Sequence, residues 1–557
     1  MRSSFLAFVA GTIFCVAPVT LAAQSHNHAE HGTADHIQEQ APLLEHIGNL
    51  HHAVSTKNAL AQRYFDQGLM MLYAFNHMES ERSFRSAASA DPHLAMAWWG
   101  VAMAVGPNLN DPTSMEHDKK GSDAIAKAVK LKKYASQEEK GLIDAQAKRY
   151  GAKTEADLPK LAERYAAAMG KLADKYTDDA DVRTLYADSV MNTMPWDYYN
   201  ADGSPKRDIE KPIVILEGTM ARWPQHPGAN HLYIHAVEAS AHPERAIGAA
   251  QRLGPYAPAA GHLVHMPSHI WVRVGRWADA TESNEEASKA DEDYITQCHV
   301  QGRYPLGYYP HNLHMLTFAS MMEGRSAVAL QASKKAAGQM PKEMQEEPPS
   351  FAALFSSLPI FAMVRFGRWD DLLAYPQPLD KKGLVQALWK YGRVIALAKT
   401  NHVDEARTEL AEMDKLIARP ELQTYKARHD NALDLLKVAR ELAAGEVDMA
   451  AGQKDSAVEH FRKAVAAQDS LFYSEPEDWY YPTRHTLGNA LLKVGKNEEA
   501  EKVFREDVVK HPDNGWALFG LQQSLRAQGK NAEADEAQQK FDKAWARADV
   551  KLTAAEF

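Results

Sequence analysis

The chain has 557 residues, with 63 lysines and arginines against 73 aspartates and glutamates, for a formal net charge of −10. That length exceeds one ordinary core and suits an array that grows by addition. No basic stripe of the kind a nucleic-acid binder needs is present. After the first residues no stretch approaches the ~20 apolar residues of a membrane-spanning helix, so neither a nucleic-acid partner nor a membrane span is expected.

Residues 1–22 read as a secretory signal: Arg2 gives a positive start, Phe5 to Val16 an apolar core, and Thr20-Leu21-Ala22 a small-x-small cleavage site. The expected location is the periplasm or outside the cell. Cleavage removes Cys15 and leaves Cys298 as the one remaining thiol, so no internal disulfide is expected. Residues 23–55 carry His26, His28, His31 and His36 among small and polar residues without an apolar period. They form either a metal-collecting arm or a solvated tail. His51 and His52 read as surface or packing residues and gain interest only if their segment folds back on the groove.

From residue 56 a helical pattern sets in and returns at fixed offsets. In residues 56–130, a unit starting at Ala61 has Tyr64 fourth, Gly68 eighth, Phe84 twenty-fourth, Ala87 twenty-seventh and Pro92 closing, and the next has Trp98 fourth and Ala102 eighth. His77 falls at the turn between the helices of the first unit, as a turn or capping residue. Residues 131–226 stay helical but leave the frame. Ser136 and Glu139 make a capping box, Pro159 opens a helix with Leu161, Tyr165, Met169 and Leu172 on one face, and Met191 to Pro205 form a long loop. Its Trp196, Tyr198 and Tyr199 either fold over a groove mouth or pack locally.

Residues 227–341 return to the frame in units starting at Pro227, Gly261 and Pro310, with Ala246, Ala280 and Ala329 at the twentieth place. Residues 342–430 hold degenerate pairs, and "FGRWDDLL" echoes "VGRWADAT". Residues 431–550 bring the frame back, with Gly445 and Phe461, then Gly488, Phe504 and Pro512. The insertion Ser474 to His485 precedes that last unit, and its Trp479 and Tyr480 are read as packing.

A helix–turn–helix period of ~34 residues with these aromatic, small and proline positions resembles the tetratricopeptide repeat family. The chain is also similar, along most of its length, to a group of large exported bacterial tetratricopeptide proteins, through "YFDQGLMMLYAFNH", "HPGANHLYIHA", "HLVHMPSHIWVRVGRW", "YYPHNLHML" and "EPEDWYYPTRHTLG". The resemblance implies an all-α solenoid, a right-handed superhelix with insertions. It also implies that positions 2, 5, 9 and 12 of each first helix line a concave groove.

Those positions carry histidines. His231, His235 and Glu238 take places 5, 9 and 12 of one unit, His262, His265 and His269 places 2, 5 and 9 of the next, and His311 and His314 places 2 and 5 of the third. Within each group the spacing of three or four puts the side chains on one helix face. Pro267 falls mid-helix between His265 and His269, where it should remove a backbone bond and kink the helix.

Imidazoles gathered in this way suit a transition metal, with zinc or copper favoured. Glu238 is a ligand, an acceptor behind the ligands or a general base for metal-bound water, and Arg273 either holds an anion or pairs with Glu238. The alternative is an interaction scaffold whose groove binds a peptide or partner protein without metal. No Ser-His-Asp set, phosphate loop or dinucleotide fingerprint is present.

Overall fold

The computed structural model describes residues 40–557, apart from 201, 299–303, 350 and 428–429. The secretory signal and the His26–His36 tail therefore lie outside the described residues. The chain is an all-α, tetratricopeptide-type stack of antiparallel helix pairs, with one two-residue antiparallel ladder at Lys426–Ala427 and Asp430–Asn431. None of its described helices is long and apolar enough to cross a membrane.

The helices that matter below are, in chain order, α1 (Ala59–Tyr73), α2 (His77–Ala90), α3 (Ala95–Ala104), α4 (Leu158–Lys175), α5 (Ala180–Met191), α6 (Pro227–Val237), α7 (Gly261–His265), α8 (Pro267–Arg273) and α9 (Trp277–Cys298). They continue with α10 (Tyr309–Glu323), α11 (Ser326–Gly338), α12 (Ala352–Arg365), α13 (Leu384–Lys399), α14 (Ala432–Ala450), α15 (Lys454–Asp469), α16 (Arg484–Lys493), α17 (Asn497–Lys510), α18 (Gly515–Ala527) and α19 (Asn531–Ala544).

The repeat frame has a direct physical cause in the aromatic at its twenty-fourth position. Phe84 on α2 is fully buried between Gly68 on α1 and Gly100 on α3. A Cβ at either glycine would meet its ring at 2.8 or 2.3 Å. At the other end of the chain Phe504 on α17 sits in the same way between Gly488 on α16 and Gly520 on α18, where added Cβ atoms would come within 2.4 and 2.2 Å. The glycine of one first helix and that of the next unit thus clamp one ring, which fixes both the pairing and the stacking.

Start signals in the sequence are realised. Pro227 lies in the first turn of α6, Pro310 in that of α10, and Ser136 with Glu139 makes the capping box. At the first inter-helix turn Asn76, not His77, accepts the helix N–H. His77 opens α2 and ties it to the end of α3, with Nδ1 2.8 Å from the Ala104 carbonyl.

The array does not stay open. Trp277 Nε1 donates to the Pro512 carbonyl at 2.9 Å, and Trp516 Nε1 to that of Met321 at 2.9 Å. Asp549 caps α11 through the N–H groups of Ser326 and Ala327. The C-terminal units therefore fold back on the central ones. The buried core falls into two clusters, and α10 belongs to both: Met315, Phe318 and Met322 face the first, Tyr309, Leu313 and Met321 the second. Trp479 and Tyr480 fill the inner face of the C-terminal units, Tyr480 stacked on Phe361 at 3.7 Å, as their reading as packing residues requires.

Phe504→Ala should cost about 3–5 kcal/mol, because a clamped ring leaves a cavity that its glycine neighbours cannot fill. Gly520→Ala should destabilise by about 1–3 kcal/mol through overpacking. Urea unfolding of both variants checks this, and an unchanged midpoint for either would remove the clamp as the source of the frame.

Candidate functional site

The histidines of three units meet in the interior. His231 and His235 on α6 and His262 on α7 offer ligand atoms within 4.8 Å of one another, and so do His265, His269 and His311 from α7, α8 and α10. The two trios touch, with ring centroids 5.6 Å apart for His262 and His265 and 5.7 Å for His235 and His269. His314 joins neither trio; its ring stands edge-on to Phe355 at 5.8 Å. Pro267 does start a new helix, but Met266 before it keeps helical torsions. His265 and His269 consequently stay on one face across the break, with their Nε2 atoms 2.8 Å apart.

Hydrogen bonds set the tautomers. His231 Nδ1 lies 2.6 Å from the Tyr73 carbonyl and His235 Nδ1 3.1 Å from Glu238 Oε1. Both partners only accept, so both Nδ1 atoms carry the proton and both Nε2 atoms present a lone pair. Those Nε2 atoms, and both ring nitrogens of His262, are buried without a hydrogen-bond partner among the described residues. Burial pushes His231, His235 and His262 below the usual histidine range, and neighbouring imidazoles push His231 and His262 further. The first trio is a set of neutral rings aimed at one point.

The second trio is built alike. His265 Nδ1 lies 2.6 Å from Asn284 Oδ1, which is held toward it because Asn284 Nδ2 donates to the Ala280 carbonyl. His269 Nδ1 lies 2.5 Å from Glu238 Oε2. With both Nδ1 atoms donating, the two Nε2 atoms face each other at 2.8 Å as lone pairs. Such a contact repels unless a cation, a proton or a metal ion, lies between. Two nitrogens bound to one metal at ~2.0–2.1 Å lie about 3 Å apart, close to this spacing.

Glu238 is fully buried and serves both trios, one oxygen to each. Burial alone would raise its carboxyl, but its contacts with His269 and His235 outweigh this and hold it at about 2. Arg273 does not pair with Glu238, whose oxygens go to His235 and His269. It donates to the Ser240 carbonyl at 3.3 Å and lies over the Tyr473 ring.

Of the enclosing groups, Trp196 is one of the loop aromatics expected either to fold over a groove mouth or to pack locally, whereas Phe75 and Tyr308 are not singled out by the sequence pattern. Phe75 packs on all three rings of the first trio, with centroids 4.5, 5.8 and 5.6 Å from His231, His235 and His262. Trp196 stands edge-on to His235 at 5.3 Å and Tyr308 to His262 at 4.9 Å. Phe75 and Trp196 both hold positive φ, 53° and 61°. That region costs a bulky L-residue about 1–2 kcal/mol, and here it aims each ring at the cluster. From the C-terminal insertion comes Glu475, whose carboxyl burial lifts to about 7 against the pull of Arg273 and His269, with Tyr473 donating to it at 2.6 Å.

Another buried histidine pair shows what a satisfied arrangement looks like. His485 places one nitrogen 2.8 Å from Asp507 and the other 3.1 Å from Arg365, and His511 places its two on Asp507 and Glu477 at 2.9 and 3.0 Å. Every ring nitrogen there has a partner. In the first trio half or more of them do not.

No family model matches the chain, and no curated protein matches it. Among solved structures, the human IFIT1 dimer with m7Gppp-AAAA aligns at a TM-score of 0.33 and 12% identity, over 77% of this chain and 86% of that one. Yeast Tom70 aligns at a TM-score of 0.29 and 13% identity, over 89% and 93%. At such scores neither likeness carries an argument, and the fold rests on the helix pairing itself.

The N-terminal segment folds back on α5 rather than on the imidazole cluster. His52 Nδ1 lies 2.9 Å from Asp181 on α5, which also accepts from Tyr73 and His226. Burial would lower the His52 pKa, but the hydrogen bond and charge of Asp181, with Asp179 and Glu138, outweigh it and lift it to about 9. A raised pKa means stabilisation fully present below pH ~6.5 and lost as pH rises through about 9. His52→Gln should therefore destabilise by on the order of 2–3 kcal/mol at pH 6, with the gap to wild type closing above pH ~9. Chemical unfolding across that range checks it; a gap independent of pH would assign His52 to packing alone.

Proposed function

We propose that this chain is a helical-repeat protein that binds a transition metal, zinc or copper, in the buried imidazole cluster His231, His235, His262, His265, His269 and His311. The observation that carries this reading is the set of lone-pair nitrogens held out of water without a partner. An unsatisfied buried polar atom costs about 1–3 kcal/mol, and several aimed at one point form an arrangement that a cation relieves. The groups behind the ligands fit as well. Metal-binding histidines donate their second N–H to a carboxylate, carbonyl or similar acceptor, and here Glu238, the Tyr73 carbonyl and Asn284 take those roles. With both oxygens so engaged, Glu238 acts as an orienting group rather than a general base. Three imidazoles per ion leave coordination positions for water or a small ligand. Export to the periplasm, with residues 1–22 as the signal, belongs to the same proposal.

The second reading is an interaction scaffold that holds a peptide or protein partner, and the stacked helix pairs favour it because such arrays present long surfaces. The histidines do not belong to that surface. His231, His235, His262, His265 and His269 are 0–3% exposed, so a docked peptide would not touch them. A partner would use other faces of the solenoid.

Full-length protein purified without added metal should contain zinc or copper near stoichiometry and lose it in the His231→Ala/His235→Ala/His269→Ala variant. The loaded form should melt higher than the chelated one. Elemental analysis and thermal melts decide. No metal in wild type, together with unchanged melting on adding zinc or copper, would leave the scaffold reading.

A further inference from the structure

Resting on the metal-binding reading, we propose that the cluster is a dinuclear centre, in which each trio holds one ion and Glu238 is the positioning residue that couples the two. Each trio is complete as a three-nitrogen set, and no histidine has to be shared: His231, His235 and His262 on one side, His265, His269 and His311 on the other. The acceptors behind the rings divide in the same way. The Tyr73 carbonyl serves the first trio alone and Asn284 the second alone.

Glu238 is the exception, with Oε1 on His235 and Oε2 on His269. One carboxylate thus fixes the orientation of a ligand in each trio, in a fully buried position where no water replaces it. Binding an ion in either trio draws electron density from its imidazole, strengthens that N–H bond to Glu238 and tightens the carboxylate against the other ring. Glu238 places one buried negative charge next to both positions, which offsets part of the charge of the ions. The positions differ in surroundings. Phe75, Trp196 and Tyr308 enclose the first, whereas the second includes the partly exposed His311 and is the one an outside ligand reaches.

The test titrates the full chain with Cu²⁺, with His26, His28, His31 and His36 replaced by alanine so that the tail contributes no sites. Two coppers per chain are expected, with electron paramagnetic resonance showing spin coupling between them. His262→Ala should leave one copper with an isolated signal, and so should His311→Ala. Glu238→Gln presents an N–H to one of the two donors it must accept and only a neutral amide oxygen, a weaker acceptor than the carboxylate, to the other. It should weaken both positions about 10–100-fold and abolish the coupling, while Glu238→Asp should restore part of it. Asn284→Ala should weaken the second position only. A single copper per chain in wild type would overturn the dinuclear centre and leave the metal-binding reading standing; no copper would overturn both. A Glu238→Gln effect confined to one position would overturn the coupling role.

Discussion

An imidazole taken out of water must still place two nitrogens, one carrying a proton and one a lone pair, and the centre of this molecule is arranged around that demand. The protonated nitrogens are served by groups that only accept: the Tyr73 carbonyl, Asn284 Oδ1 and the two oxygens of Glu238. Those acceptors turn every lone pair inward. A satisfied network would have ended with a donor there, as the Arg365 guanidinium donates to His485 Nδ1 while Asp507 accepts from the other side of that ring. The inward-facing lone pairs therefore follow from the same hydrogen bonds that fix the rings.

The fold makes that arrangement possible by holding three first helices at a fixed separation. Phe84 and Phe504, each clamped between glycines of successive units, show how tightly the spacing is set at both ends of the stack. Between them α6, α7 with α8, and α10 supply the imidazoles. Folding the C-terminal units back onto the centre, through Trp277 with Pro512 and Trp516 with Met321, turns what an open superhelix would leave as a groove into an interior.

Much of this was legible in the sequence, because it is periodic. The glycine, aromatic and proline offsets carried the helix pairs, and the three- and four-residue histidine spacings carried the convergence of His231, His235, His262, His265, His269 and His311. His314 shares the same spacing but points to Phe355, since a helical period marks a face without marking its neighbour. Of the enclosing groups only Trp196 left a trace, as an aromatic in a long loop. Phe75 and Trp196 reach the site through single left-handed residues in turns, and Glu475 arrives from an insertion more than 200 positions from His269 in sequence. His52 is of interest only if its segment folds back on the groove; Asp181 on α5 holds it elsewhere. Contacts of this kind depend on closure of the whole array, which no local pattern encodes.

Closure also bears on the difference between the two functional readings. A groove that recognises peptides has to keep its contact residues wet until the partner arrives. Here the residues that family position assigns to the groove are among the driest in the chain, beneath Phe75, Trp196 and Tyr308, two of them reached at a backbone cost. Strain and desolvation spent on enclosing neutral imidazoles lower the stability of the empty protein, and a bound cation returns it, because ions that bind the folded state alone stabilise it by mass action. A peptide docked elsewhere on the solenoid would leave those costs in place. On the metal-binding reading proposed above, the arrangement at the centre of the molecule suits something small, positively charged and held from inside.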